Sequence, residues 1–110
     1  MLNAEFEKIV VSQCDDILSR CRTKGAEYTG KDVDRLGNFK RVATLMRCTP
    51  EKALAGLVAK HIVATYDFIE DLEKGQHRTM EQWDEKLGDI ILYAILLKAL
   101  LIERGQDGGK

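Results

Sequence analysis

The single proline of this 110-residue chain, Pro50, directly follows Thr49. Threonine is a good N-cap and proline fits the first helical position, so Thr49-Pro50 reads as the start of a helix. Gly75 reads as its stop. Thr79-x-x-Gln82 has the spacing of a capping box and opens another helix, which runs to about Arg104 before Gly105. Two helices of about 25 residues joined by about five must lie antiparallel as neighbours. Residues equidistant from the turn then face each other, placing Asp89 near Thr65 and within a turn or so of His61 and Asp67. That hairpin sets the frame for everything else.

Two further helices precede it. Asn3 is a candidate N-cap for a helix over about 4–23, where Phe6, Ile9, Val10, Ile17 and Cys21 recur at helical spacing and Gly25 follows as the stop. Residues 25–34 form a polar connector. A short helix over about 35–47 has Leu36, Phe39, Val42 and Met46 on one face. No segment has the pattern of a strand. The expected fold is all-α and four-helix bundle-like, with two long antiparallel C-terminal helices. One domain over residues 1–104 is expected, with a flexible tail over 105–110.

Hydrophobic residues make up 45% of the chain and charged residues 32%, a balance ordinary for a soluble helical protein. A net charge of −1 gives no general attraction to nucleic acid or anionic membrane, so neither is expected as a partner. Met1-Leu-Asn-Ala-Glu-Phe-Glu7 lacks the basic and apolar regions of a signal peptide. The apolar run over 90–102 is interrupted by Lys98 and too short to span a bilayer. Three cysteines, Cys14, Cys21 and Cys48, without Cys-x-x-Cys spacing, fit reduced core thiols in a cytoplasmic protein.

Asp89 is the anomaly in this pattern, a carboxylate inside the chain's most apolar stretch, beside the mid-helix Gly88. Burying an unpaired carboxylate costs several kcal/mol, so it calls for a cation, a metal or hydrogen-bond donors. Glu85, Asp89 and Tyr93 form one stripe at four-residue spacing. On the facing helix Lys60, Ala64, Asp67 and Asp71 form another, with His61 adjacent and Glu70 at the edge. If the stripes face, Asp67, Glu70, Glu85 and Asp89 gather in one cleft, the oxygen-rich setting that Mg²⁺ prefers. The plainer alternative is a solvated acidic face, with Asp89 paired to Lys60.

His61 suits phosphate binding or proton transfer, or else packs against Tyr93 or Asp89. The short helix carries Arg35, Lys40, Arg41 and Arg47, with Lys31 just before, the charge a polyphosphate would require. Trp83 fits stacking on a base, or packing.

Three segments carry a resemblance: Asp34-Arg-Leu-Gly-Asn-Phe39, Lys60-His61 with Asp67 beyond, and Glu85-Lys-Leu-Gly-Asp-x-x-x-Tyr93 followed by Leu96-Leu-Lys-Ala-Leu100. In that order, over about 28–103, they resemble a family of small bacteriophage proteins. That family is related to the MazG-like all-α nucleotide pyrophosphohydrolases and to nucleotide-modification-associated domains. The resemblance implies an oligomeric helical bundle that binds Mg²⁺ and converts nucleoside triphosphates to monophosphates and pyrophosphate. Glu70 and Glu73 match the spacing of the first metal motif, Glu-x-x-Glu. Asp89 matches the end of the second, Glu-x-x-Asp, although Lys86 stands where its glutamate belongs and Glu85 falls one residue early. Leu92 replaces the asparagine of the phage family's Asp-x-x-Asn-Tyr pattern.

Three functions follow as expectations. The first is a phage MazG-like, Mg²⁺-dependent nucleotide pyrophosphohydrolase of the host-cell cytoplasm. Its metal ligands would be Asp89, Glu85, Glu70 and Asp67, and Lys60, His61, Arg41 and Tyr93 would hold the nucleotide. The second is a nucleotide-binding protein that sequesters without turnover. The third is a helical oligomerisation module. All three are compatible with a homo-oligomer, a dimer or larger.

Overall fold

The computed structural model describes residues 1–27 and 34–105, the side chains of 24–27 excepted. The described residues form four helices and no strand: α1 (Asn3–Glu27), α2 (Gly37–Met46), α3 (Pro50–Glu73) and α4 (Met80–Glu103). They belong to two compact units, Met1–Arg35 and Leu36–Lys110. Most of the connector expected over 25–34, and all of the tail beyond Gly105, lie outside the described residues.

The first unit contains α1. The backbone N–H of Leu2 donates to the Glu5 carboxylate at 2.9 Å, capping the helix start. Gly25 does not end this helix, which continues to Glu27. A glycine inside a helix costs about 1 kcal/mol but removes no hydrogen bond, so neighbouring turns carry the chain through it. Ile17 is buried, whereas Phe6, Ile9 and Val10 of the expected apolar face are exposed. Arg35 donates to the Cys21 carbonyl at 3.2 Å within the same unit.

In the second unit the punctuation marks expected of the hairpin are in place. The Thr49 hydroxyl accepts from the Lys52 N–H at 3.1 Å, with Pro50 behind it. Thr79 and Gln82 form both halves of a capping box, at 2.9 and 3.1 Å. Gly75 and Gly105 each follow a helix with φ of 84°, a conformation available to glycine at little cost. Arg47 takes the equivalent left-handed position after α2, with φ of 55°.

Helix α3 is the centre of this unit, packing against both α2 and α4. The core joins Leu36 and Phe39 to Leu54 of α3 and Leu100 of α4, with Leu57, Val58, Tyr93, Leu96 and Leu97 packed around it. Burying each large side chain stabilises the fold by about 1.5–3 kcal/mol. The inward face of α2 runs through Leu36, Phe39 and Ala43, and Met46 is exposed rather than part of it.

At the hairpin's turn, Arg78 lies 4.4 Å from the centroid of the Phe68 ring and pairs with Asp71 at 2.6 Å. Trp83 meets Phe68 edge-on at 5.3 Å, so it packs, as the plainer reading held. None of the three cysteines is a core residue: Cys14 is exposed, and Cys21 and Cys48 are half-buried. No helix among the described residues is long and apolar enough to cross a membrane.

Candidate functional site

The hairpin brings three polar or aromatic side chains from opposite helices into contact midway along its groove. His61 projects from the inward face of α3, one turn before Thr65, whose hydroxyl donates to the His61 carbonyl at 2.8 Å. Asp89 and Tyr93 project from α4, one turn apart. The His61 Nδ1 lies 3.5 Å from the Asp89 carboxylate. That is close enough for electrostatic attraction but longer than a good hydrogen bond. Both side chains are half-buried, at 17% and 25% exposure, so the pair is shielded but reachable.

Tyr93 closes one side of the cluster. Its ring lies 5.4 Å from the His61 ring and 6.2 Å from Phe39, the latter nearly edge-on. Burial, and after it the charge of Asp89, raise the Tyr93 phenol above its ordinary value of 10.0. The phenol therefore stays protonated at physiological pH and can donate. Gly88 is buried beside Asp89, where the helix presents no side chain to the packed interior. An imidazole, a carboxylate and a neutral phenol in one groove can bind a polar ligand and exchange a proton with it.

Of the residues singled out in the sequence, His61, Asp89 and Tyr93 come together. Glu85 lies one turn before Asp89 on the same stripe and is exposed. Lys60, Asp67 and Glu70 are exposed on α3, outside its inward face. Arg41 is exposed on α2 and donates to the Asn38 side chain at 2.5 Å. Among the described residues no group of three or more His, Cys, Asp and Glu side chains converges as metal ligands would. The carboxylates expected to form a Mg²⁺ cage do not fit one as placed.

Two ion pairs and one cavity stand outside the expectations drawn from the sequence. Glu51, in the first turn of α3, accepts two hydrogen bonds from Arg104 at the end of α4, at 2.9 and 2.6 Å. Lys40 of α2 forms an ion pair with Glu103 of α4, tying the outer helix to the hairpin. A mostly apolar cavity of about 380 Å³ also opens between α2 and α3, with Val42, Met46, Cys48 and Lys52 in its lining. Equidistance from the turn would have found the first of these pairs.

The chain matches no protein-family model, no curated protein and no solved structure.

Proposed function

We propose that this protein binds a nucleotide in the α3–α4 groove, with His61, Asp89 and Tyr93 as the contact set. The observation that carries the reading is the meeting of His61 with Asp89 beside the raised, neutral phenol of Tyr93. The phenol and the imidazole supply donors for phosphate or sugar oxygens, and Asp89 accepts from a base or ribose. Lys60, next to His61 in the sequence, and Arg41 on α2 are the cations assigned to a phosphate chain. The motif resemblance to bacteriophage MazG-like proteins supports a nucleotide over other polar ligands, and the host-cell cytoplasm as the place of action.

Binding is the core of this proposal, and hydrolysis its stronger form. Lys86 and Leu92 replace two polar positions of the related motifs, and the remaining carboxylates do not converge as a metal set. The reading favoured is accordingly a binding or sequestering protein. A thermal-shift screen of ribo- and deoxyribonucleotides, with and without Mg²⁺, tests it, because a ligand that binds the folded state raises its melting temperature. At least one nucleotide should stabilise the wild type, and Asp89→Asn or His61→Ala should abolish the shift. A screen in which none stabilises it overturns the proposal. Mg²⁺-dependent release of pyrophosphate would identify the hydrolase form.

A further inference from the structure

The inward face of α3 is filled by α2 and α4, yet its outer face is apolar too. Ala55, Ala59, Ile62, Tyr66 and Ile69 recur there at alternating spacings of four and three, the seam of a helix that packs along another helix. All five are exposed: Ile62, Tyr66 and Ile69 at 38%, 64% and 42%, with Val63 beside them at 58%. No charged residue lies on the seam, and Lys60 and Asp67 stand at its rim. An uncharged apolar stripe of this length on a small protein marks an interaction surface.

Two properties of the stripe say what covers it. Its N-terminal half is small, Ala55 and Ala59 with Gly56 between them, and a Cβ built on Gly56 would meet nothing within 4 Å. Its C-terminal half is large, Ile62, Tyr66 and Ile69. A copy of the same helix laid antiparallel sets the large half against the small half twice over, whereas a parallel copy opposes alanine to alanine and tyrosine to tyrosine.

The charges agree with this orientation. Lys52 stands before the seam, and Glu70, Glu73 and Lys74 at its far end leave one net negative charge there, so an antiparallel copy brings opposite signs together at both ends. The two other acids at those ends are already engaged, Glu51 by Arg104 and Asp71 by Arg78.

We infer that the outer face of α3 is a self-association surface, on which a second copy of this chain lays its own α3 antiparallel about a two-fold axis near Ile62. The interface is isologous and so closes as a dimer. It does not rest on the nucleotide reading, since none of Ala55, Ala59, Ile62, Tyr66 and Ile69 belongs to the His61–Asp89–Tyr93 set.

Sedimentation velocity of the full chain across a concentration series reads the mass directly. The wild type should sediment at twice the chain mass, and Ile62→Lys, which alters an exposed residue, should sediment as a monomer with its helical circular dichroism retained. A chain that stays monomeric throughout, or an Ile62→Lys dimer, overturns the inference. Orientation is tested with Cys14, Cys21 and Cys48 replaced by serine. Mixed Ala55→Cys and Ile69→Cys chains, each seven residues from the axis and so about 21 Å along the helix from their own copies, should be joined by a short bismaleimide, and neither variant should be joined to itself. Self-joining of either variant alone overturns the antiparallel arrangement, and this arm remains decisive if Ile62→Lys fails to fold.

Discussion

Arg104 grips Glu51 through both carboxylate oxygens, at 2.9 and 2.6 Å, and so fastens the end of α4 to the first turn of α3. The two residues lie 53 positions apart, at the open end of the hairpin, opposite its turn. A two-pronged guanidinium–carboxylate contact fixes direction as well as distance. It therefore helps set the register in which His61 meets Asp89 further along the groove.

The pair also makes stability depend on acid. Hydrogen bonding from Arg104, the largest influence, holds the Glu51 carboxyl below its ordinary value of 4.5, against a smaller opposing effect of burial. A carboxyl whose value is lower in the folded state stabilises the fold fully above its unfolded value. That contribution is lost as the pH falls through the folded value. Urea unfolding of the wild type and Glu51→Gln should therefore show a stability gap that is constant near neutrality and closes in acid. A gap that ignores pH would show that the pair does not act as an ion pair.

Tyr93 should titrate abnormally in the opposite range. Burial and the Asp89 charge both oppose the phenolate, so the Tyr93 phenol should ionise above 10.0. Asp89→Asn removes the smaller of the two causes. The Tyr93 transition, followed by phenolate absorbance and identified by its absence in Tyr93→Phe, should move down in that variant while staying above the ordinary value. A transition that does not move would place the Asp89 charge too far from the ring to matter.

The hairpin was legible in the sequence because its limits are chemical. Thr49-Pro50, Gly75, the Thr79–Gln82 box and Gly105 each perform a backbone task that few residues perform, and all do so in the structure. The meeting of His61 and Asp89 was legible for the same reason, since a short turn fixes which residues are opposite. The expected acidic cluster was not. Periodicity shows which residues share a stripe but not how far the groove is covered. Phe39 of α2 packs against Tyr93, while Glu85, two turns nearer the hairpin turn, has no such cover and is exposed. Lys60 and Asp67 each sit one position away from an inward residue, His61 and Phe68, and a step of 100° turns them outward.

The cap at Thr79 should be worth about 1 kcal/mol, the usual cost of replacing an N-cap threonine by alanine. Its hydroxyl accepts from the Gln82 N–H at 3.1 Å, and the Gln82 side chain accepts from the Thr79 N–H at 2.9 Å. Thr79→Ala leaves the first turn of α4 with an unsatisfied donor and no core change. Chemical unfolding should show the loss in the midpoint with an unchanged slope.

The same unfolding measurement separates the core from the surface within one residue type. Leu54 is 3% exposed at the centre of the α2–α3–α4 contact, whereas Leu45 is 82% exposed near the end of α2. Leu54→Ala loses the transfer energy of its side chain and leaves a cavity among Leu36, Phe39 and Leu100, so it should cost about 2–5 kcal/mol. Leu45→Ala touches none of this and should fall within about 0.5 kcal/mol of the wild type. Both variants keep alanine's high helix propensity, so local helix stability does not blur the comparison. Equal losses at the two positions would mean that Leu45 is covered in solution.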